Sequence, residues 1–240
     1  MSSILLEIFS FLKNPYSPKQ EIVSRKDKYT YFSRLAIVSM IVSGLFFGIL
    51  MIEHFILKRY GIELKQKDFG FRGVYAILIF VFLGPFSEEL LFRFPLSFRK
   101  KDVNTWLFIL LGMVGFYIIS LLCKDMLNKT EKYFIRFFYL IIGAGIIHLF
   151  NTLSETSLEK MKYSFGKYIV WVSIAIFTLL HLSNVANFDI RLLPIYLFNL
   201  FPVFFLAIIL SLYRLRLGFF YGFLFHAAWN FLPALLHIWN

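Results

Sequence analysis

Apolar residues run in stretches of about 20 along most of this chain, separated by short charged clusters, and that alternation predicts the fold. A helix rising ~1.5 Å per residue needs ~20 apolar residues to cross a hydrocarbon layer ~30 Å thick. The pattern predicts spans at 35–57, 73–98, 106–123, 134–150, 168–186, 192–213 and 218–239. An earlier apolar stretch, 4–12, places Glu7, Ser10 and Asn14 on one face and Leu5, Ile8, Phe9 and Leu12 on the other. That amphipathic pattern predicts a short helix lying in the membrane interface, ended by Pro15 and Pro18. The expected fold is all-α, a polytopic membrane bundle of about seven helices, with six to eight allowed by residues 4–12 and by a split second span. Residues 1–34 form the interfacial helix and a basic arm, and residues 35–240 one membrane-embedded domain.

Composition agrees with the pattern. The 240 residues are 59% hydrophobic and 16% charged, with 32 phenylalanines, whereas a soluble domain carries roughly a quarter charged residues. The net charge of +11 sits in clusters flanking the spans. It therefore points to cytoplasmic loops and anionic lipid headgroups, with no nucleic-acid partner. Lys and Arg of the N-terminal arm place the N-terminus on the cytoplasmic side. One cysteine, Cys123, excludes disulfides and multi-cysteine metal sites. The polar stretch 151–167 is expected to be the longest loop of the second half.

Against this apolar background the second span is anomalous. Gly84-Pro85-Phe86-Ser87-Glu88-Glu89-Leu90-Leu91-Phe92-Arg93 brings two carboxylates and a guanidinium to membrane depth, where each charge costs a few kcal/mol and by default marks function. Glu89 and Arg93 are four residues apart, acid first, so they pair along one helix face. Glu88 points about 100° away and is left without a helical partner. The Gly84-Pro85 step, which lacks one backbone donor, is expected to kink or restart the helix and put both glutamates in a first turn, where the dipole favours anions. Two histidines lie deep in later spans: His181, with Phe177 before it and Ser183, Asn184 and Asn187 after it, and His226, four residues from Asn230. Glu53 and His54 near the end of the first span read as interface residues within reach of water. The deep polar groups are expected to face inward and meet in one cavity, since each would otherwise face lipid.

Glu88-Glu89-x-x-x-Arg93, Phe177-x-x-x-His181 and His226-x-x-x-Asn230, in this order on separate spans, resemble the CPBP (Abi) intramembrane proteases. That group includes the type II CAAX prenyl endopeptidases and the bacteriocin-processing or self-immunity proteins. The resemblance covers residues 73–235. It implies an endopeptidase embedded in a membrane, here taken as a bacterial cytoplasmic membrane, acting on a membrane-embedded, lipidated or bacteriocin-like peptide. Attack of water on an amide needs a base and donors for the oxyanion. Glu88 is expected to be the base, with His181 holding the same water, His226 and Asn230 as oxyanion donors, and Glu89 and Arg93 as structural support. No cofactor is expected. The alternative is zinc held by Glu88, His181 and His226, a His₂Glu set with one position left for water. A non-catalytic scaffold or immunity protein keeping a protease-like site is the reading from a different class.

Overall fold

The computed structural model describes residues 2–16, 24–62, 64, 73–122, 154–186 and 188–238. Every regular element among them is helical, and they fall into two compact units, Ser97–Phe165 and the remainder of the chain. The larger unit starts with α1 (Ser2–Lys13) and α2 (Arg25–Arg59). The charged second span follows as one helical run: α3 (Gly73–Ile77), a π-helical segment (Leu78–Leu83), α4 (Gly84–Glu88), a second π-helical segment (Glu89–Arg93) and a 3₁₀ turn (Phe94–Ser97). The smaller unit contains α5 (Lys100–Leu122), whose Asp102 accepts hydrogen bonds from Ser97 Oγ at 2.6 Å and Arg99 Nε at 3.0 Å. After the undescribed stretch come α6 (Glu155–Leu180), a 3₁₀ turn (His181–Asn184), a second 3₁₀ turn (Ile190–Leu192), α7 (Leu193–Asn199), α8 (Phe201–Arg216) and α9 (Phe219–Ile238).

Two of these helices, Lys26–Arg59 and Glu155–Asn184, are long and apolar enough to cross a membrane. A third crossing forms if Ile190–Asn199 and Phe201–Arg216, bent by 43° at the step between them, count as one span. That is fewer than the seven the apolar pattern predicts; the 134–150 span lies outside the described residues. Pro202 lies in the first turn of α8, where a missing N–H costs nothing, and the chain bends just before it. Outward-facing Met40, Leu45, Phe47 and Phe55 on α2 are exposed, as expected of a surface that meets lipid tails rather than water.

Two sequence expectations are corrected. The stretch expected as the longest polar loop is helical from Glu155, because Ser154 caps it: its Oγ accepts from Ser157 N at 3.1 Å. Farther along α6, Gly166 lies against the ring of Tyr16, whose hydroxyl donates to Leu96 O at 2.7 Å. A Cβ at Gly166 would come within 2.5 Å of that ring. The second correction concerns Gly84-Pro85. The helix neither breaks nor restarts there but widens into the π register, with Gly84 N donating to Ile79 O. The glutamates therefore lie inside a continuous helical run and do not sit at a free N-terminus.

The core of the larger unit centres on α8, buried continuously from Leu206 to Arg214, as a helix apolar on all sides requires. Leu35 and Val38 of α2, Val170, Ile174 and Phe177 of α6 and Phe225 of α9 close around it. The N-terminal helix joins this core through Ile4, Ile8 and Phe11, leaving Leu6 and Phe9 exposed. Glu7 on its inner face accepts from buried Arg216 Nε at 3.1 Å. Both partners of that pair are almost completely shielded, so removing either one alone would leave a buried charge uncompensated.

Candidate active site

The second π-helical segment does two things. It sets Glu89 and Arg93 about one turn apart on the same inner face, and it leaves carbonyls that no longer follow the α register. Those carbonyls are met by side chains from neighbouring helices. Ser173 Oγ of α6 donates to Phe92 O, and Arg214 Nε of α8 donates to Arg93 O at 3.1 Å. In the first π-helical segment, Pro85 has no N–H to give to the carbonyl five residues back, that of Phe80. Asn230 Nδ2 of α9 donates to that oxygen at 3.0 Å.

Glu89 and Arg93 form the expected pair, Arg93 Nη1 donating to Glu89 Oε1 at 3.0 Å, with both side chains at 0–1% exposure. The guanidinium also lies over the Phe177 ring, 4.0 Å from its centroid, a contact that adds stabilisation where water is absent. Glu89 has a second partner that the spacing did not reveal: His226 Nδ1, 3.1 Å from the same Oε1. A carboxylate paired with arginine only accepts, so Nδ1 carries the hydrogen. That bond turns Nε2 toward Glu88, whose Oε2 lies 3.5 Å away. Glu88 is the one member of this set that reaches the outside, with a third of its side chain exposed.

Four of the expected residues are thus joined in one line, Glu88–His226–Glu89–Arg93, buried at the arginine end and open at Glu88. The other two lie outside that line. Asn230 shares the α9 face with His226, one turn on, and is bonded to Phe80 O. His181 starts the 3₁₀ turn after α6 and its Nδ1 donates to Phe177 O at 2.9 Å. It lines a cavity of about 410 Å³ with Glu53, His54, Asn184 and Asn199, and neither Glu88 nor His226 lines that cavity. The Phe177 ring packs against both histidines, 4.8 Å from the ring of His181 and 6.0 Å from that of His226.

A zinc ion held by Glu88, His181 and His226 does not fit this arrangement. Among the described residues no three His, Cys, Asp or Glu side chains are gathered as ligands. The Nδ1 bonds of both histidines do not count against a metal, since zinc-bound imidazoles use such partners at the other nitrogen. The set does not converge, because His181 lines the cavity with Glu53 and neither Glu88 nor His226 does.

Sequence reasoning passed over the roles of four residues. Gly222, one turn before His226 on the same face, lies against Glu89; a Cβ there would come 3.2 Å from Oε2. The i, i+4 spacing of a glycine and a deep histidine is the signal that could have found it. Arg214 and Arg216 read as loop charges, yet they end α8 and are buried at 4% and 5% exposure. Phe177 serves as more than a spacing marker, since its ring packs against both histidines and covers the guanidinium.

A family model described as type II CAAX prenyl endopeptidase, Rce1-like, matches residues 70–232 and so takes in the whole line together with Phe177, His181 and Asn230. No curated protein and no solved structure matches the chain. The match covers about two thirds of the 240 residues and coincides with the only buried carboxylate–imidazole–guanidinium line among those described; the chain belongs to the type II CAAX prenyl endopeptidase Rce1-like family of membrane proteases.

Proposed function

We propose that the protein hydrolyses a peptide bond of a lipidated, membrane-associated peptide, with Glu88 as the general base. The observation that supports this reading is the line of contacts that ends in a partly exposed carboxylate beside a fixed imidazole. Glu88 takes a proton from water, the hydroxide attacks the scissile carbonyl, and Glu88 returns that proton to the leaving amine as the tetrahedral intermediate collapses. His226 keeps its ring orientation through Glu89, and as the imidazolium, with Nδ1–H held by that carboxylate, it donates Nε2–H where negative charge develops. Asn230 has a second amide hydrogen beyond the one given to Phe80, on the same face of α9 and one turn away. A preorganised donor at such an oxyanion is worth about 3 kcal/mol in other acyl-transfer enzymes. Glu89 and Arg93 act through His226 and are positioning residues. His181 is assigned to the substrate side of Phe177.

The chemistry needs no metal in this arrangement. The test is cleavage of a farnesylated peptide ending in a CAAX-type tetrapeptide by purified protein in liposomes after exhaustive chelation, followed by product mass. The expected result is loss of the residues beyond the lipidated cysteine at an unchanged rate. Activity that disappears on chelation and returns with stoichiometric zinc would contradict the metal-free reading. Failure to cut any membrane peptide would leave the non-catalytic scaffold as the better account.

A further inference from the structure

The cavity on the His181 side of Phe177 has no assigned role. Its volume, about 410 Å³, is that of a site for a small ligand or a few residues of a peptide. Most of its wall is apolar, from Phe47, Leu50 and Val203 among others. The polar part has one carboxylate, Glu53 of α2, and no lysine or arginine among the described lining residues. Glu53 is held in place: Asn199 Nδ2, at the end of α7, donates to Glu53 Oε1 at 3.2 Å and to Ile195 O at 3.0 Å. A carboxylate fixed at the edge of an apolar pocket, with only histidines beside it, attracts a cation carried on an apolar stem and repels a carboxylate. His181 lines the pocket, and the next side chain inward, Phe177, packs against His226.

We infer that this cavity is a specificity pocket in which Glu53, positioned by Asn199, receives a lysine or arginine side chain of the bound peptide. The inference rests on the peptidase reading, and binding separates the two. The test uses the Glu88→Gln protein in detergent, with short fluorescent peptides identical except for lysine, norleucine or glutamate at one position. The lysine peptide is expected to bind about fivefold tighter than the norleucine peptide, the upper end for a partly solvated charge pair, with the glutamate peptide weakest. Glu53→Gln keeps an oxygen for Asn199 and should abolish the lysine preference without lowering the melting temperature. Glu53→Lys should reverse the order, and Asn199→Leu, which frees the carboxylate, should reduce the preference. Equal affinity for all three peptides, or a preference that survives Glu53→Gln, would overturn the inference. Displacement of the lysine peptide by phosphatidylethanolamine vesicles but not by phosphatidylglycerol vesicles would overturn it in favour of a lipid ammonium group. If binding is selective but no peptide is cut by the wild-type protein, the pocket stands and the peptidase reading falls.

Discussion

Replacing each of the two adjacent glutamates by glutamine separates the base from its support. Glu89→Gln removes the one counter-charge that, among the described residues, bonds Arg93, whose side chain is 1% exposed and whose Nε already lacks a partner. Breaking a buried pair from one side costs about 3–5 kcal/mol. The π–cation contact with Phe177 offsets part of this, since it favours the guanidinium with or without its partner. For a protein of this length 1 kcal/mol corresponds to about 2–4 °C, so the melting temperature should fall by roughly 10 °C. The same change leaves one neutral amide oxygen where the charged carboxylate served both Arg93 Nη1 and His226 Nδ1, so the imidazole is held less firmly and peptide cleavage should fall even below the transition. Glu88→Gln is different. That side chain is a third exposed, makes no hydrogen bond within normal geometry, and only faces Nε2 at 3.5 Å. Its melting temperature should stay within about 2 °C of wild type, the usual range for a change away from a buried network, while cleavage is lost. Replacing Glu89 and Arg93 together by leucine should recover part of the stability but not all, because His226 then loses its acceptor. The assay is differential scanning fluorimetry of the detergent-solubilised variants beside cleavage of a lipidated peptide. A larger drop for Glu88→Gln than for Glu89→Gln would refute the assignment of base and support.

The same geometry makes further predictions. Gly222→Ala puts a methyl 3.2 Å from Glu89 Oε2 and should lower the cleavage rate at saturating substrate more than it lowers melting temperature; an unchanged rate would show that Glu89 is not constrained from that side. Asn230→Leu removes the donor to Phe80 O and should cost about 1–3 kcal/mol for an acceptor left unmet, read as a lower melting temperature, whereas Asn230→Asp should do worse. Tyr16→Phe removes the 2.7 Å bond to Leu96 O and should cost about 1 kcal/mol. Gly166→Val, which collides with the Tyr16 ring, should cost more, and Tyr16→Ala should relieve it in the double variant.

Part of the membrane pattern was legible in the sequence because burial in lipid imposes a simple rule on composition: α2 contains the expected first span, and α6 with the turn after it covers most of the expected fifth. The boundaries were less legible. Arg25–Arg34 joins α2 because helix propensity continues through charged residues once a span nucleates, and Ser154 extends α6 into water for the same reason. The i, i+4 pairing of Glu89 with Arg93 was readable from spacing alone. The bond from Glu89 to His226 was not, because it depends on which face of α9 turns toward the second span, and the π register decides that. Apolar periodicity cannot distinguish i−4 from i−5 bonding over a single turn, so Gly84-Pro85 looked like a break. The placement of His181 in a cavity that Glu88 does not line was hidden for a similar reason: which wall a side chain joins leaves no trace in the spacing along its own helix.

The most direct test of the central claim is the transfer of oxygen from water to the cut peptide. Single-turnover cleavage of a lipidated peptide in ¹⁸O-water, by wild type and by Glu88→Gln of matched melting temperature, is read by the mass of the new carboxylate. The wild-type product should carry one heavy oxygen, and Glu88→Gln, though folded, should form product at least a hundredfold more slowly, the lower end for loss of a general base. Product formed by folded Glu88→Gln at the wild-type rate would contradict the account.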